Sequence, residues 1–264
     1  MRLKQYLIVE GRGKQISLDE ALNIAPKYMT SIKRYIKNNE HIARDITIIT
    51  DYYLVDPKKV KEPRKSRYTE NYYTLIMDNS KKWSKYPKRS LSLTCSMEKG
   101  ELSRDYYVFP KNDANIGVCS NKDLWWSFKK GLSPLNDLTM LTYTIKDLLD
   151  ETYFNSQDDD YNIFKQQCKF FDNYIKEKDK SINNILSNPG SFNYSRIVSF
   201  FDNNYKGDLY QMIEDVLDPI KNGFNRTTPN GKWYNEREVW TDSESLMIMG
   251  KVNLEIFLKE LGRI

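Results

Sequence analysis

The feature that most constrains this chain is where its strand signals fall. Short runs rich in β-branched and aromatic residues occupy the first 120 residues and return after residue 228. Residues 133 to 225 carry few such runs and several helical patterns instead. A strand-bearing part and a mainly helical part are therefore distinct along the chain, in keeping with an α+β fold. With 264 residues the chain is long enough to bury a real core. It reads as a single domain over 1–264, with a helical lead-in over 1–40, a strand-rich part over 41–130, a helical stretch over 133–225 and a closing part over 228–264.

The local signals fill in this outline. Gln5 to Val9 reads as a strand, followed by a turn at Gly11 and Gly13. Ser17-Leu-Asp-Glu20 has the form of a capping box, in which a serine hydroxyl and a glutamate carboxylate satisfy each other's backbone N–H groups. A helix is expected through Asn23 to about Pro26 and another from about Tyr28 to Asn38. Thr47 to Val55 reads as strand, broken by Pro57 and a basic stretch, and Asn71 to Asn79 reads as either helix or strand. Ser90 to Cys95 alternates with period two. This places Leu91, Leu93 and Cys95 on one face and the hydroxyls of Ser90, Ser92 and Thr94 on the other. Tyr106 to Phe109 and Ile116 to Cys119 are two further strands. Helical patterns cover Leu141 to Leu149, Tyr161 to Leu186, Tyr194 to Asn203 and Leu209 to Lys221. Within the second of these, Phe164, Cys168, Phe171 and Ile175 form the stripe of a core-facing helix. Thr228-Pro-Asn-Gly231 marks a turn. Trp233 to Trp240 and Ser245 to Met249 then read as a β-hairpin, and Asn253 to Leu261 as a closing helix.

Composition narrows the chemistry. The net charge of +5 is modest, and 19 Tyr, 11 Phe and 5 Trp supply large buriable surfaces, so a folded domain is expected rather than a disordered chain. The densest basic stretch, Lys58 to Arg67, is either a solvated loop or a nucleic-acid patch with Tyr68, Tyr72 and Tyr73 as stacking residues. Cys95, Cys119 and Cys168 are too few and too scattered for a disulfide framework, and with His41 as the one histidine no zinc site is expected. A single histidine also weighs against triad-type hydrolysis. The longest apolar run near the start, Tyr6 to Val9, is too short for a signal peptide, and no run approaches the about twenty residues of a membrane span. Cytoplasmic residence without membrane association is the expectation.

Two places carry functional potential on physical grounds. The first is the hydroxyl face of Ser90, Ser92 and Thr94 with Ser96 beyond it, which is either solvent-exposed or a surface a polar ligand approaches closely. The second is Glu236-Arg-Glu238, following the Pro-Asn-Gly turn and two aromatics, Trp233 and Tyr234. If the segment is extended, both carboxylates share one face. Paired carboxylates are the equipment of glycosidic-bond chemistry, where they stabilise an oxocarbenium-like transition state; an exposed, salt-bridged hairpin is the alternative.

Several segments resemble the arginine–serine–glutamate class of ADP-ribosyltransferases, in particular a phage-encoded group with that domain. They are Arg64-Lys-Ser66, Asn71-Tyr-Tyr-Thr74, Tyr86-Pro-Lys-Arg89-Ser-Leu-Ser92-Leu-Thr-Cys-Ser96, Tyr106-Tyr-Val-Phe-Pro110, Ile116-Gly-Val-Cys119 and Asp123-Leu-Trp125. The likeness covers roughly 40–130 and 230–250, and the helical stretch between looks like an insertion. It implies split, facing antiparallel sheets with NAD, the substrate, in the cleft between them, and no metal. It further implies that Arg44 binds NAD phosphate and that Thr94 and Ser96 shape the ribose pocket, with Ser92 in place of Thr94 if the register shifts by two. Glu238 would be the catalytic carboxylate and Glu236 its partner towards the acceptor, with Trp233 and Tyr234 contacting that acceptor. The implied activity is mono-ADP-ribosyl transfer to a host protein or nucleic acid. The chain departs from the class pattern at Asp45, where a glycine usually follows the arginine, and at Cys95. Arg64, Arg67 and Arg89 are substitutes for Arg44. A catalytically silent relative, a nucleic-acid-binding protein and a virion component are the competing expectations.

Overall fold

A computed structural model describes residues 13–46, 50–59, 72–100, 106–128, 160–178, 201 and 203–262. The expected strand at Gln5 to Val9, the helix at Leu141 to Leu149 and most of the basic stretch lie outside these residues. Two compact units make up the chain, where the sequence reads as one domain. The first comprises 1–64, 85–124 and 224–264; the second comprises 65–84 and 125–223. The second unit includes nearly all of the stretch expected as an insertion and adds 65–84 to it.

The first unit is built on nine strands: β1 (Gly13–Gln15), β2 (Glu40–Arg44), β3 (Tyr52–Val55), β4 (Leu93–Lys99), β5 (Tyr106–Pro110), β6 (Ile116–Val118), β7 (Asn225–Thr227), β8 (Glu238–Thr241) and β9 (Ser245–Met249). They form one continuous antiparallel ladder in the order β1-β3-β9-β5-β2-β4-β8-β6-β7. This is a large antiparallel sheet with helices, in keeping with an α+β fold, and its hydrogen bonding is not divided into two sheets. One core cluster runs along its inner face. Tyr53 and Val55 of β3 share a core cluster with Ile116 and Val118 of β6, at the far side of the ladder, and with Ile42, Leu93, Cys95, Met97, Val108, Val239 and Met247 between. The three-residue link between β8 and β9, which stand four places apart in the ladder, requires the sheet to coil on itself, as twisted strands permit.

The other face is covered over β3, β9, β5 and β2 by helices. Helix α1 (Leu18–Ile24) starts at Ser17, whose hydroxyl accepts the Glu20 N–H while the Glu20 carboxylate accepts that of Ser17, so the expected capping box forms. A 3-10 turn at Ala25–Tyr28, begun by Pro26, links it to α2 (Met29–Asn38), which ends at Asn39 in a left-handed conformation. Ala21, Ala25, Tyr28 and Ile32 pack on Tyr107, Phe109, Leu246 and Ile248, joined by Leu254 and Phe257 of a C-terminal helix, Gly250–Leu261.

Three expectations change here. The strand expected over Ser90 to Cys95 begins only at Leu93 and runs to Lys99; alternation persists, with Leu93, Cys95 and Met97 buried. The strand expected over Thr47 to Val55 is observed at Tyr52–Val55, with 47–49 outside the described residues. The expected hairpin of Trp233 to Trp240 with Ser245 to Met249 does not form: β8 pairs with β4 and β6, whereas β9 pairs with β3 and β5. Consecutive strands separated by a tight Asp242–Glu244 connection thus belong to distant places in the ladder, which the coiling of the sheet brings together.

The second unit is helical among its described residues. The ambiguous 71–79 run is helix α3 (Tyr72–Asn79), and a one-turn 3-10 segment at Lys81–Trp83 follows it. Two longer helices are Tyr161–Lys178, in which Phe164, Cys168 and Phe171 are buried as their spacing required, and Leu209–Val216. The Trp83 indole donates to the Leu217 carbonyl at 2.9 Å, and Ser80 Oγ to Glu214 at 2.6 Å. Asp172 accepts the Leu209 N–H at 3.0 Å, yet burial, with help from Asp208, pushes its carboxyl up to about 6 from an ordinary 3.8. The native state therefore holds this proton more tightly than the unfolded chain. Its contribution to stability is present below pH 3.8 and is lost as pH rises to about 6. Asp172→Asn keeps an oxygen for Leu209 and removes the charge. The Tm of this variant minus that of the native protein is expected to rise between pH 4 and pH 6.5; a difference flat across that range would contradict the assignment.

Candidate functional site

Three of the sequence-expected residues, Thr94, Ser96 and Glu238, share one face of two adjacent strands, β4 and β8. Ala43 on β2 lies opposite Ser96 on β4, and Ser96 lies opposite Glu238 on β8. Directly opposed residues of antiparallel strands share a face, so Ser96 and Glu238 project side by side. Thr94 projects from the same face, opposite Trp240. Glu98 continues the row towards His41, its partner on β2. Ser96 Oγ donates to Glu98 Oε1 at 2.7 Å, and His41 Nε2 lies 3.9 Å from the other Glu98 oxygen. His41 is buried between Tyr35 and Tyr107. Burial holds its pKa below the ordinary value, against the opposing pull of Glu98.

Glu238 is held through both carboxylate oxygens. Its Oε1 accepts from Arg89 Nη2 at 2.7 Å, the Arg89 side chain being 5% exposed and that of Glu238 18%. Its Oε2 faces the Leu124 backbone N–H at 3.4 Å. Beneath lies Trp240, fully buried. Its indole N–H donates to the Pro87 carbonyl at 2.9 Å, Tyr86 stacks on it at 6.1 Å, Phe224 meets it edge-on, and the Arg89 guanidinium lies 5.5 Å from its ring. Gly117, opposite Trp240 on β6, makes room for the indole, because a Cβ there would come within 2.3 Å of it.

Other expected residues stand elsewhere. Glu236 does not share the face of Glu238. Its N–H bonds to the Met97 carbonyl while the Met97 N–H bonds to the Arg237 carbonyl, so two residues of one chain segment face one of the other. This is a β-bulge, and Glu236 occupies its left-handed position with φ 58°. The bulge breaks period two, which is why spacing alone misplaced the side chain. Glu236 is instead 62% exposed and paired with Lys122 at 2.6 Å, whose hydrogen bond and charge hold its carboxyl below the usual range. Ser92 lies outside β4, buried, with its hydroxyl turned to the Lys88 carbonyl. Arg44 is 7% exposed, and its Nη1 donates to the Thr94 carbonyl. Strand alternation sends it to the side of Ile42 and Tyr106, away from Ser96 and Glu238.

Trp233 and Tyr234 are partly buried against the inner core cluster. The turn that carries them is pinned by Arg34 of α2, which donates to the carbonyls of Pro229 at 2.7 Å and Gly231 at 2.5 Å and to Glu40 at 2.9 Å. Its guanidinium lies 5.3 Å from the Trp233 ring. Trp233 and His41 both line a small cavity of about 10 Å³. Trp233 is thus wedged into the fold rather than presented on an open loop.

Sequence reasoning missed Glu98 as the acceptor for Ser96, Lys122 as the partner of Glu236 and Arg34 as the pin of the turn. It named Arg89 only as a substitute for Arg44. No local signal marks a pair such as Arg89 and Glu238, 149 residues apart. Among the described residues no group of His, Cys, Asp and Glu is arranged to hold a metal ion, and no helix is long and apolar enough to cross a membrane. The chain matches no family model, no curated protein and no solved structure.

Proposed function

We propose that the protein cleaves NAD and transfers ADP-ribose to a macromolecular acceptor, as the arginine–serine–glutamate resemblance implies. The observation that carries this reading is the register: Ser96 stands directly opposite Glu238 on neighbouring strands, although 142 positions, 238 less 96, separate them in sequence. The resemblance implies a hydroxyl strand beside a catalytic glutamate, and the adjacency of Ser96 and Glu238 supports that reading. In the proposed site Ser96 hydrogen-bonds the nicotinamide ribose. Glu238 Oε2 accepts from a ribose hydroxyl and stabilises positive charge as nicotinamide leaves, a contribution on the order of a few kcal/mol. Glu98, bonded to Ser96, orients its hydroxyl.

The fit is uneven along the substrate. The ribose end is supported by Ser96 and Glu238. Arg44, buried and engaged with Thr94, does not offer the open guanidinium fork that a pyrophosphate requires. That favours a second reading, a catalytically silent relative that uses the fold for binding. Incubating the protein with NAD and measuring both bound dinucleotide and free nicotinamide separates the two. Nicotinamide release supports the transferase reading, binding without release supports the silent one, and neither binding nor release contradicts both.

A further inference from the structure

We infer that Arg89 is the positioning residue of Glu238, fixing which carboxylate oxygen meets the substrate; the inference rests on the ADP-ribosyl reading above. Arg89 is anchored at both ends. Its own chain segment wraps Trp240: Tyr86 stacks on the indole, and the Pro87 carbonyl accepts the indole N–H. Its guanidinium lies over the same ring and grips Glu238 Oε1 at 2.7 Å. Trp240 in turn sits two residues from Glu238 on the same face of β8. Arginine, indole and carboxylate therefore form one packed column.

The two oxygens of Glu238 are not equivalent as a result. Oε1 is held by a buried charge, whereas Oε2 meets the longer 3.4 Å N–H of Leu124. Oε2 is the oxygen offered to a hydroxyl. A carboxylate fixed through one oxygen keeps one orientation of the other, and such preorganisation lets charge stabilisation act without reorganising the site. Arginine suits the task because its planar fork stacks on an aromatic ring and donates along its edge at once, which a lysine ammonium does not. Arg89 thus acts through Glu238 and makes no contact with the NAD phosphates, distinct from the role that resemblance assigned to an arginine.

The test uses Arg89→Met and Arg89→Lys in the full chain, with steady-state nicotinamide release, NAD affinity and urea unfolding measured for each, alone and combined with Glu238→Gln. Arg89→Met is expected to lower kcat about 10- to 100-fold, the scale of a misplaced catalytic group, with KM changed less than about threefold. Arg89→Lys, which keeps the charge, recovers part of kcat; should the methionine variant not fold, the lysine variant carries the test with the same split. In unfolding, the Arg89 and Glu238 substitutions are expected to be non-additive. An unchanged kcat, or a KM that rises by more than kcat falls, overturns the inference, the latter marking Arg89 as a phosphate ligand. The two proposals fail distinguishably. Coupling in unfolding without any nicotinamide release from the native protein overturns the transferase reading and this role with it. Release without coupling overturns the role of Arg89 alone.

Discussion

Glu238→Gln is expected to reduce nicotinamide release about 10²- to 10³-fold or more while leaving the fold in place, as removal of one preorganised electrostatic group commonly does. The substitution suits this site. Glutamine matches glutamate in shape and keeps an amide oxygen for Arg89 Nη2, so the column over Trp240 is preserved. What it loses is the negative charge that, in the proposed reaction, stands beside the departing nicotinamide. The circular dichroism spectrum is expected to match that of the native protein. Arg89, buried at 5% exposure, then faces a neutral partner, so Tm falls. Full activity in this variant would remove Glu238 from the chemistry whatever its surroundings.

Trp240→Ala is the larger structural perturbation. The indole is completely buried between Tyr86, Phe224 and Gly117 and closes a hydrogen bond to Pro87. Deleting a large buried aromatic side chain commonly costs about 3–5 kcal/mol. Gly117 has no side chain with which to fill the space. The loss also undercuts the support of Arg89, so the variant is expected to lose stability in urea unfolding and nicotinamide release together. A shift under about 1 kcal/mol would mean that the column is not part of the cooperative core.

These expectations draw unequally on sequence and structure. Period-two alternation was legible over Leu93 to Cys95, because one face of β4 is buried and the other is not, whereas the continuation of the strand to Lys99 was not read. The helical stripe of Phe164, Cys168 and Phe171 was legible for the same reason. The capping box at Ser17 is a local device and reads locally. Glu236 was misplaced because a bulge inserts one residue where spacing assumes none, and its left-handed position is one glycine usually marks. The pairing of β8 with β4 and β6 rather than β9 is set by the coiling of the whole sheet, which no short window contains. Arg44 resembles a ligand arginine in its sequence setting, but exposure is a tertiary property and the fold buries it. Arg89 illustrates the converse: its partners are a tryptophan and a glutamate about 150 residues downstream.

The most direct measurement is transfer of label from adenine-labelled NAD to macromolecules of a cell extract, comparing the native protein with Glu238→Gln. The account predicts label in the protein or nucleic-acid fraction, with stoichiometric free nicotinamide, for the native chain and neither for the variant. Equal labelling by both, or no label and no nicotinamide from the native chain, would contradict it.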